Sequence, residues 1–145
     1  GESRIFPAMT CWCAMRNDPV PIARSLVGVP FRLHGRAPEH GLDCVGLAAL
    51  AFGRIDGVPT GYALRGGDVQ QMIRVVRSLG FVCRRVAWRR GDLLMLRPGP
   101  AQVHLGIWTG ESLIHADAGL GRIVETPGVP RWPLLSAWLR RERKL

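Results

Sequence analysis

Gly41-Leu42-Asp43-Cys44-Val45-Gly46-Leu47 is the stretch on which the reading of this chain turns. Turn residues His40 and Gly41 give way there to the apolar run Val45 to Phe52, and Asp43 stands where a helix N-cap belongs. The helix this predicts runs from Cys44 to about Gly53. It is apolar nearly all round (Val45, Leu47, Ala48, Ala49, Leu50, Ala51, Phe52), so it is expected at the centre of the core. Cys44 then falls in the first turn, where unpaired backbone N–H groups and the positive end of the helix dipole favour a thiolate. Gly46 lowers helix propensity by up to about 1 kcal/mol, and the expected return is close approach of another backbone beside the cysteine.

Upstream of that helix, residues 1–18 read as an irregular segment and residues 19–145 as a single domain. Pro19, Val20 and Pro21 lead into a short helix over Ile22 to Val27, closed by Gly28. Val29 to Gly35 is extended. Downstream, residues 54–66 form a glycine-rich loop holding the single tyrosine, Tyr62. Asp68 caps a second helix in which Val69, Met72, Ile73, Val76 and Leu79 share one buried face, and Gly80 ends it.

The pattern then turns to β over 81–83, 92–96, 103–108, 112–116 and 121–125, with turns between, as in an antiparallel meander. Pro133 is read as opening a final helix from Leu134 to about Arg143. Helices first and strands after give an α+β fold: N-terminal helices, with the cysteine at the start of the central buried helix, packed on the meander.

No apolar run approaches the roughly 20 residues of a membrane span. The N-terminus lacks a basic region followed by an apolar core, so no signal peptide is visible, and Met9 is a candidate native start. The net charge is +9, and 19 of the 20 basic residues are arginine. A surface so basic is drawn to polyanions. The charges are scattered, and no aromatic-interleaved basic stripe marks nucleic acid as the main partner. Cysteines 11, 13, 44 and 83 are read as reduced thiols. Cys11 and Cys13, even with His34 and His40, lack the spacing of a zinc knuckle, so no metal is assigned.

A nucleophilic cysteine needs a base, and the meander carries two histidines. Thr109-Gly110-Glu111 is a hairpin-length turn, so the strands holding His104 and His115 should pair with these residues roughly opposite each other. Both imidazoles would then stand on the face packed by the cysteine helix. This Cys–His–His arrangement suits acyl transfer. His104 takes the thiol proton, giving a thiolate–imidazolium pair; Cys44 attacks an amide carbonyl; His104 protonates the leaving amine; His115 orients His104 through its far nitrogen. Read singly, each histidine suits a satisfied core residue and Cys44 an inert buried thiol. Trp12, Trp88, Trp132 and Trp138 read as core or edge fillers, and Trp108 as the indole that reaches the cleft.

Gly28-Val29-Pro30-Phe31-Arg32, Gly35 and Gly41 to Leu47 resemble the first half of an NlpC/p-sixty cysteine peptidase. Gly91 to Leu96, His104-Leu105-Gly106-Ile107-Trp108 and Leu113-Ile114-His115-Ala116 resemble the second half, the likeness covering roughly residues 20–126. The resemblance implies a papain-like fold and hydrolysis of peptidoglycan stem peptides, commonly between γ-D-glutamate and a diamino acid such as meso-diaminopimelate, without a cofactor. It implies Cys44 as nucleophile, His104 as base, His115 as orienting residue, and Asp43 as a group that helps bind the substrate's amino end.

The sequence departs from the family's pattern at three places. Phe31 stands where relatives often carry a tyrosine that helps hold the oxyanion, leaving the Cys44 backbone N–H as one donor and His34 or Tyr62 to supply the second. Val45 replaces a frequent serine, and His34-Gly35 a double glycine. Compact chains of this kind resemble those in phage tails and gene-transfer particles, which implies action at the bacterial cell wall or periplasm. An acyltransferase or amidase on the same scaffold, and a catalytically silent tail component, are the alternatives.

Overall fold

The computed structural model describes residues 18–54, 57–66 and 68–140. The expected irregular segment up to residue 17, with Cys11 and Cys13, lies outside the described residues, as does the tail after Arg140. Helix α1 (Val20–Ser25) begins at the predicted prolines. The two-stranded hairpin β1 (Arg36–Ala37) and β2 (Gly41–Leu42) delivers the chain to α2 (Cys44–Ala51). After α3 (Val69–Ser78), capped by Asp68, come β3 (Phe81–Cys83), β4 (Leu93–Leu96), β5 (His104–Trp108), β6 (Ser112–Asp117), β7 (Arg122–Pro127) and β8 (Leu134–Arg140). The fold is α+β.

Asp43 caps α2 as expected, its carboxylate accepting from the Gly46 amide at 2.8 Å. Every residue of α2 except Leu50 is buried. Gly46 shows why it is glycine: a Cβ there would run into the Gly35 carbonyl oxygen, so the loop before β1 lies directly on the helix.

The sheet has six antiparallel strands in the order β3-β8-β4-β5-β6-β7. Side chains alternate between its two faces. Leu93, Met95, Leu105, Ile107, Ile114, Ala116 and Ile123 point into the cluster that holds Cys44, Val45, Leu47 and Ala48 of α2. Leu94, Leu96, Trp108, Leu113 and Ala137 form a second cluster on the other face, covered by Trp88 and Trp132. Full burial of each such large apolar side chain stabilises the fold by about 1.5–3 kcal/mol.

The last element departs from the expected helix. Leu134 to Arg140 is a strand inserted between β3 and β4, so the element last in sequence is second in the sheet. Its composition (Leu-Leu-Ser-Ala-Trp-Leu-Arg) suits a helix, but propensity is a weak force beside tertiary pairing. All four residues of β4 are buried. Without β8 the backbone groups along one edge of that strand would be left unpaired in the core. Trp138 enters the α2 cluster while its neighbour Ala137 enters the opposite one, a period of two that fits a strand.

Candidate active site

The backbone around Asp43 is tied into a network centred on its side chain. The carboxylate is fully buried. One oxygen accepts from the Gly46 amide and from Arg36 Nη1 at 3.0 Å; the other accepts from the His34 amide at 2.8 Å and from the Tyr62 hydroxyl. A carboxylate offers about four acceptor positions, and all are taken. Asp43 is thus turned inward, against the expectation that it meets a substrate amino group.

Arg36 Nη2 also binds the Tyr62 hydroxyl and the Pro59 carbonyl, at 2.8 and 2.7 Å. His34, at a left-handed φ of 61°, reaches the Tyr62 carbonyl through Nε2 at 2.9 Å. Burial, then Asp43, pushes the Tyr62 hydroxyl pKa upward, which keeps it a donor. His34 and Tyr62 are therefore engaged in holding the start of α2 and do not stand as free oxyanion donors.

Cys44 is a free thiol and 1% exposed. Burial, followed by the neighbouring Asp43 carboxylate, pushes its pKa up to about 12. The backbone amides of Leu105, Cys44 and Val45 at the sulfur pull the other way, as the helix-terminus argument expects, but desolvation outweighs them. Burial and then His115 bring His104 down to about 3, and burial lowers His115 as well. Both shifts run toward the uncharged thiol and the uncharged imidazole, against the thiolate–imidazolium pair expected from the sequence.

The structure brings His104 and His115 together, with Nε2 of the first 2.9 Å from Nδ1 of the second. The residue opposite His115 is Gly106, so His104 is offset by two positions and meets His115 on a diagonal. Alternation sets both rings on the face of Trp108 and Leu113, not on the face packed by α2, a second correction to the expected layout. Cys44 comes to β5 at the backbone amide of Leu105, the residue after His104.

Trp132, expected as a core or edge filler, and Thr126, which carries no motif, complete the surroundings. The Trp132 ring stands edge-on to both imidazoles, 5.4 Å from each. Thr126 Oγ1 lies 3.1 Å from His115 Nε2. A cleft of about 140 Å³ opens beside His104, lined in part by Phe31, Arg65, Gln102, Asp117 and Trp132. Phe31 faces it without a hydroxyl, as its side chain dictates. Trp108, expected at the cleft, packs instead on Trp88 at the far end of β5, with ring centroids 4.8 Å apart. Trp132 holds the place given to it, reached by a loop whose path periodicity does not reveal. The two-residue offset of the β5–β6 pairing would have pointed to Thr126, which lies one diagonal further on.

No protein-family model matches the chain. In sequence it is similar to an Escherichia coli protein named murein DD-endopeptidase MepS/murein LD-carboxypeptidase, 27% identical over 106 residues, 72% of this chain and 51% of that one. The chain thus spans about half the length of that curated relative. In structure it is similar to NlpC1 from Trichomonas vaginalis (TM-score 0.61, 19% identity, covering 86% of this chain and 45% of that one). It is also similar to the P60 domain of antigen MAP1204 from M. avium subspecies paratuberculosis (TM-score 0.56, 20% identity, 88% and 95% covered). A third likeness is to the peptidoglycan hydrolase RipB from Mycobacterium tuberculosis (TM-score 0.53, 22% identity, 88% and 64% covered).

Proposed function

The chain has the NlpC/P60 fold, and on that premise we propose that it is a cysteine peptidase that hydrolyses stem peptides of peptidoglycan. The bond proposed is that between γ-D-glutamate and a diamino acid such as meso-diaminopimelate. The observation that carries the reading is the His104–His115 hydrogen bond, made from the strand whose Leu105 and Ile107 share a core cluster with Cys44.

The chemistry follows from the protonation states. An uncharged thiol is a poor nucleophile, so its proton leaves as the sulfur attacks. His104 Nδ1 takes that proton while Cys44 Sγ bonds to the amide carbonyl carbon, and the imidazolium then donates it to the leaving amine as the C–N bond breaks. Water, deprotonated by His104, cleaves the thioester and frees the sulfur. His115 accepts from His104 Nε2 throughout and holds the ring's orientation. The Cys44 backbone N–H is one oxyanion donor. The site of action that goes with this reading is the bacterial cell wall. No helix of the described residues is long and apolar enough to cross a membrane.

Mass analysis of products released from purified peptidoglycan tests the proposal. Wild-type protein is expected to free fragments beginning with the diamino acid. Cys44→Ala and His104→Ala are each expected to abolish release with an unchanged circular dichroism spectrum, and His115→Ala to impair it less completely. Wild-type-like turnover by either of the first two variants sinks the assignment. Transfer of the acyl group to an added amine in preference to water would instead identify an acyltransferase.

A further inference from the structure

We propose that Thr126 is a positioning residue of the histidine pair: its hydroxyl oxygen accepts the Nε2 proton of His115 and so keeps His104 Nδ1 bare to receive a proton from Cys44. This rests on His104 being the base of the reaction proposed above. The three side chains form a diagonal across three strands. His104 on β5 reaches His115 on β6 at 2.9 Å, and His115 reaches Thr126 on β7 at 3.1 Å, each step offset by two residues from the directly opposed pair. Diagonal neighbours on one sheet face are within reach of long side chains. Gly106 lies opposite His115 and adds no side chain between the rings. Trp132, edge-on to both imidazoles, limits any turning away.

Between two neutral imidazoles sharing one hydrogen bond there is one proton, and two arrangements are available. In the first, His104 Nε2–H donates to His115 Nδ1. His104 Nδ1 is then a bare lone pair, and His115 Nε2 carries a hydrogen that needs an acceptor. In the second, His115 Nδ1–H donates to His104 Nε2. His104 Nδ1 then carries a hydrogen and cannot act as a base. That N–H has no protein acceptor among the described residues, whereas the first arrangement pairs each ring N–H with an acceptor.

Thr126 gives the first arrangement what it lacks, an oxygen at His115 Nε2. Being exposed, its hydroxyl can turn its own hydrogen to water while the oxygen accepts from the ring. The arrangement matters most once His104 has taken the thiol proton. The imidazolium then has hydrogens on both nitrogens, so His115 Nδ1 must accept and His115 Nε2–H must donate onward. Thr126 Oγ1 ends that chain. Removing it takes away the protein acceptor at His115 Nε2 just when charge develops on His104.

The chain has four histidines, so ring nitrogens labelled with ¹⁵N are separately assignable in the whole protein. Long-range proton–nitrogen spectra at neutral pH distinguish bare from protonated nitrogens. In the wild type, His104 and His115 are both expected to be protonated at Nε2 and bare at Nδ1. In Thr126→Val both rings are expected to gain population protonated at Nδ1, and kcat on a soluble muropeptide to fall about tenfold with KM unchanged, the scale of one lost hydrogen bond. Thr126→Ser is expected to restore both readouts, and unaltered His34 and His40 signals report an intact fold. A wild-type His104 protonated at Nδ1, or Thr126→Val spectra identical to wild type, overturns the proposal. Predicted tautomers in a chain that cleaves no peptide support the role of Thr126 and count against the peptidase reading alone.

Discussion

At Cys44, three backbone amides draw the thiol toward ionisation, while burial and the Asp43 carboxylate push it harder the other way, to about 12. At His104, burial and the neighbouring His115 carry the imidazole from an ordinary 6.5 down to about 3, against a smaller upward pull from Asp117. The same displacement acts on stability. Between pH 6.5 and 3 the unfolded chain binds the His104 proton and the folded chain does not, so stability is lost as pH falls through that window. His115, also lowered, adds loss of the same sign. From pH 7 to pH 5 the contribution of His104 has a ceiling of about 2 kcal/mol, set by the one and a half units separating pH 5 from 6.5. The expected outcome is a calorimetric Tm that drops between those two pH values in the wild type and drops less in His104→Gln. Equal drops in the two proteins would remove His104 as the cause. For catalysis the sign is also defined: the base stays unprotonated well into the acid range, so the acid limb of kcat should lie far below the 6.5 of a solvated histidine.

At the scale of elements, the start of α2 shows why a local reading of Gly41 to Leu47 succeeded. Capping, apolar content and close approach are all properties of neighbours in sequence, and Asp43, Cys44 and Gly46 each lie where those forces require. They also make a sharp prediction. Gly→Ala inside a helix ordinarily stabilises by about 1 kcal/mol. At Gly46 the new methyl would meet the Gly35 carbonyl, whose loop is held by Arg36 and Asp43, and overpacking costs about 1–3 kcal/mol. Gly46→Ala should therefore lower the urea midpoint, and a raised midpoint would refute the packing argument. What was not legible depends on partners distant in sequence. Leu134 to Arg140 has helical composition and becomes a strand because β4 has an edge to fill. The β5–β6 hairpin keeps His104 and His115 on one face, but its register shifts them from opposite to diagonal. Which face they share is decided by the packing of α2 on Leu105 and Ile107, and Trp132 arrives over the rings from a loop that no periodicity could place.

For the molecule as a whole, the charge is too large to be a local matter. The chain carries nine more basic than acidic side chains, and two of the carboxylates, Asp43 and Asp92, are buried against Arg36 and Arg84. The remaining excess is spread along the sequence without a recognition motif, which describes a diffuse positive field better than a specific binding face. Such a field concentrates the protein near anionic polymer and fades with salt, because the screening length is about 10 Å at 0.1 M and about 3 Å at 1 M. At the reacting pair the shifts run toward uncharged forms, and the Cys44 thiol is buried, so screening has little to act on there. The two should therefore separate experimentally. Sedimentation with insoluble, polyanion-bearing peptidoglycan is expected to fall steeply between about 0.05 and 0.5 M sodium chloride. Turnover of a small soluble muropeptide by the same protein over the same range should change by less than about twofold. Salt-insensitive sedimentation would show that contacts other than charge hold the protein to the wall, and a parallel collapse of turnover would show that the positive field acts in the cleft itself, where Arg65 faces the opening beside His104.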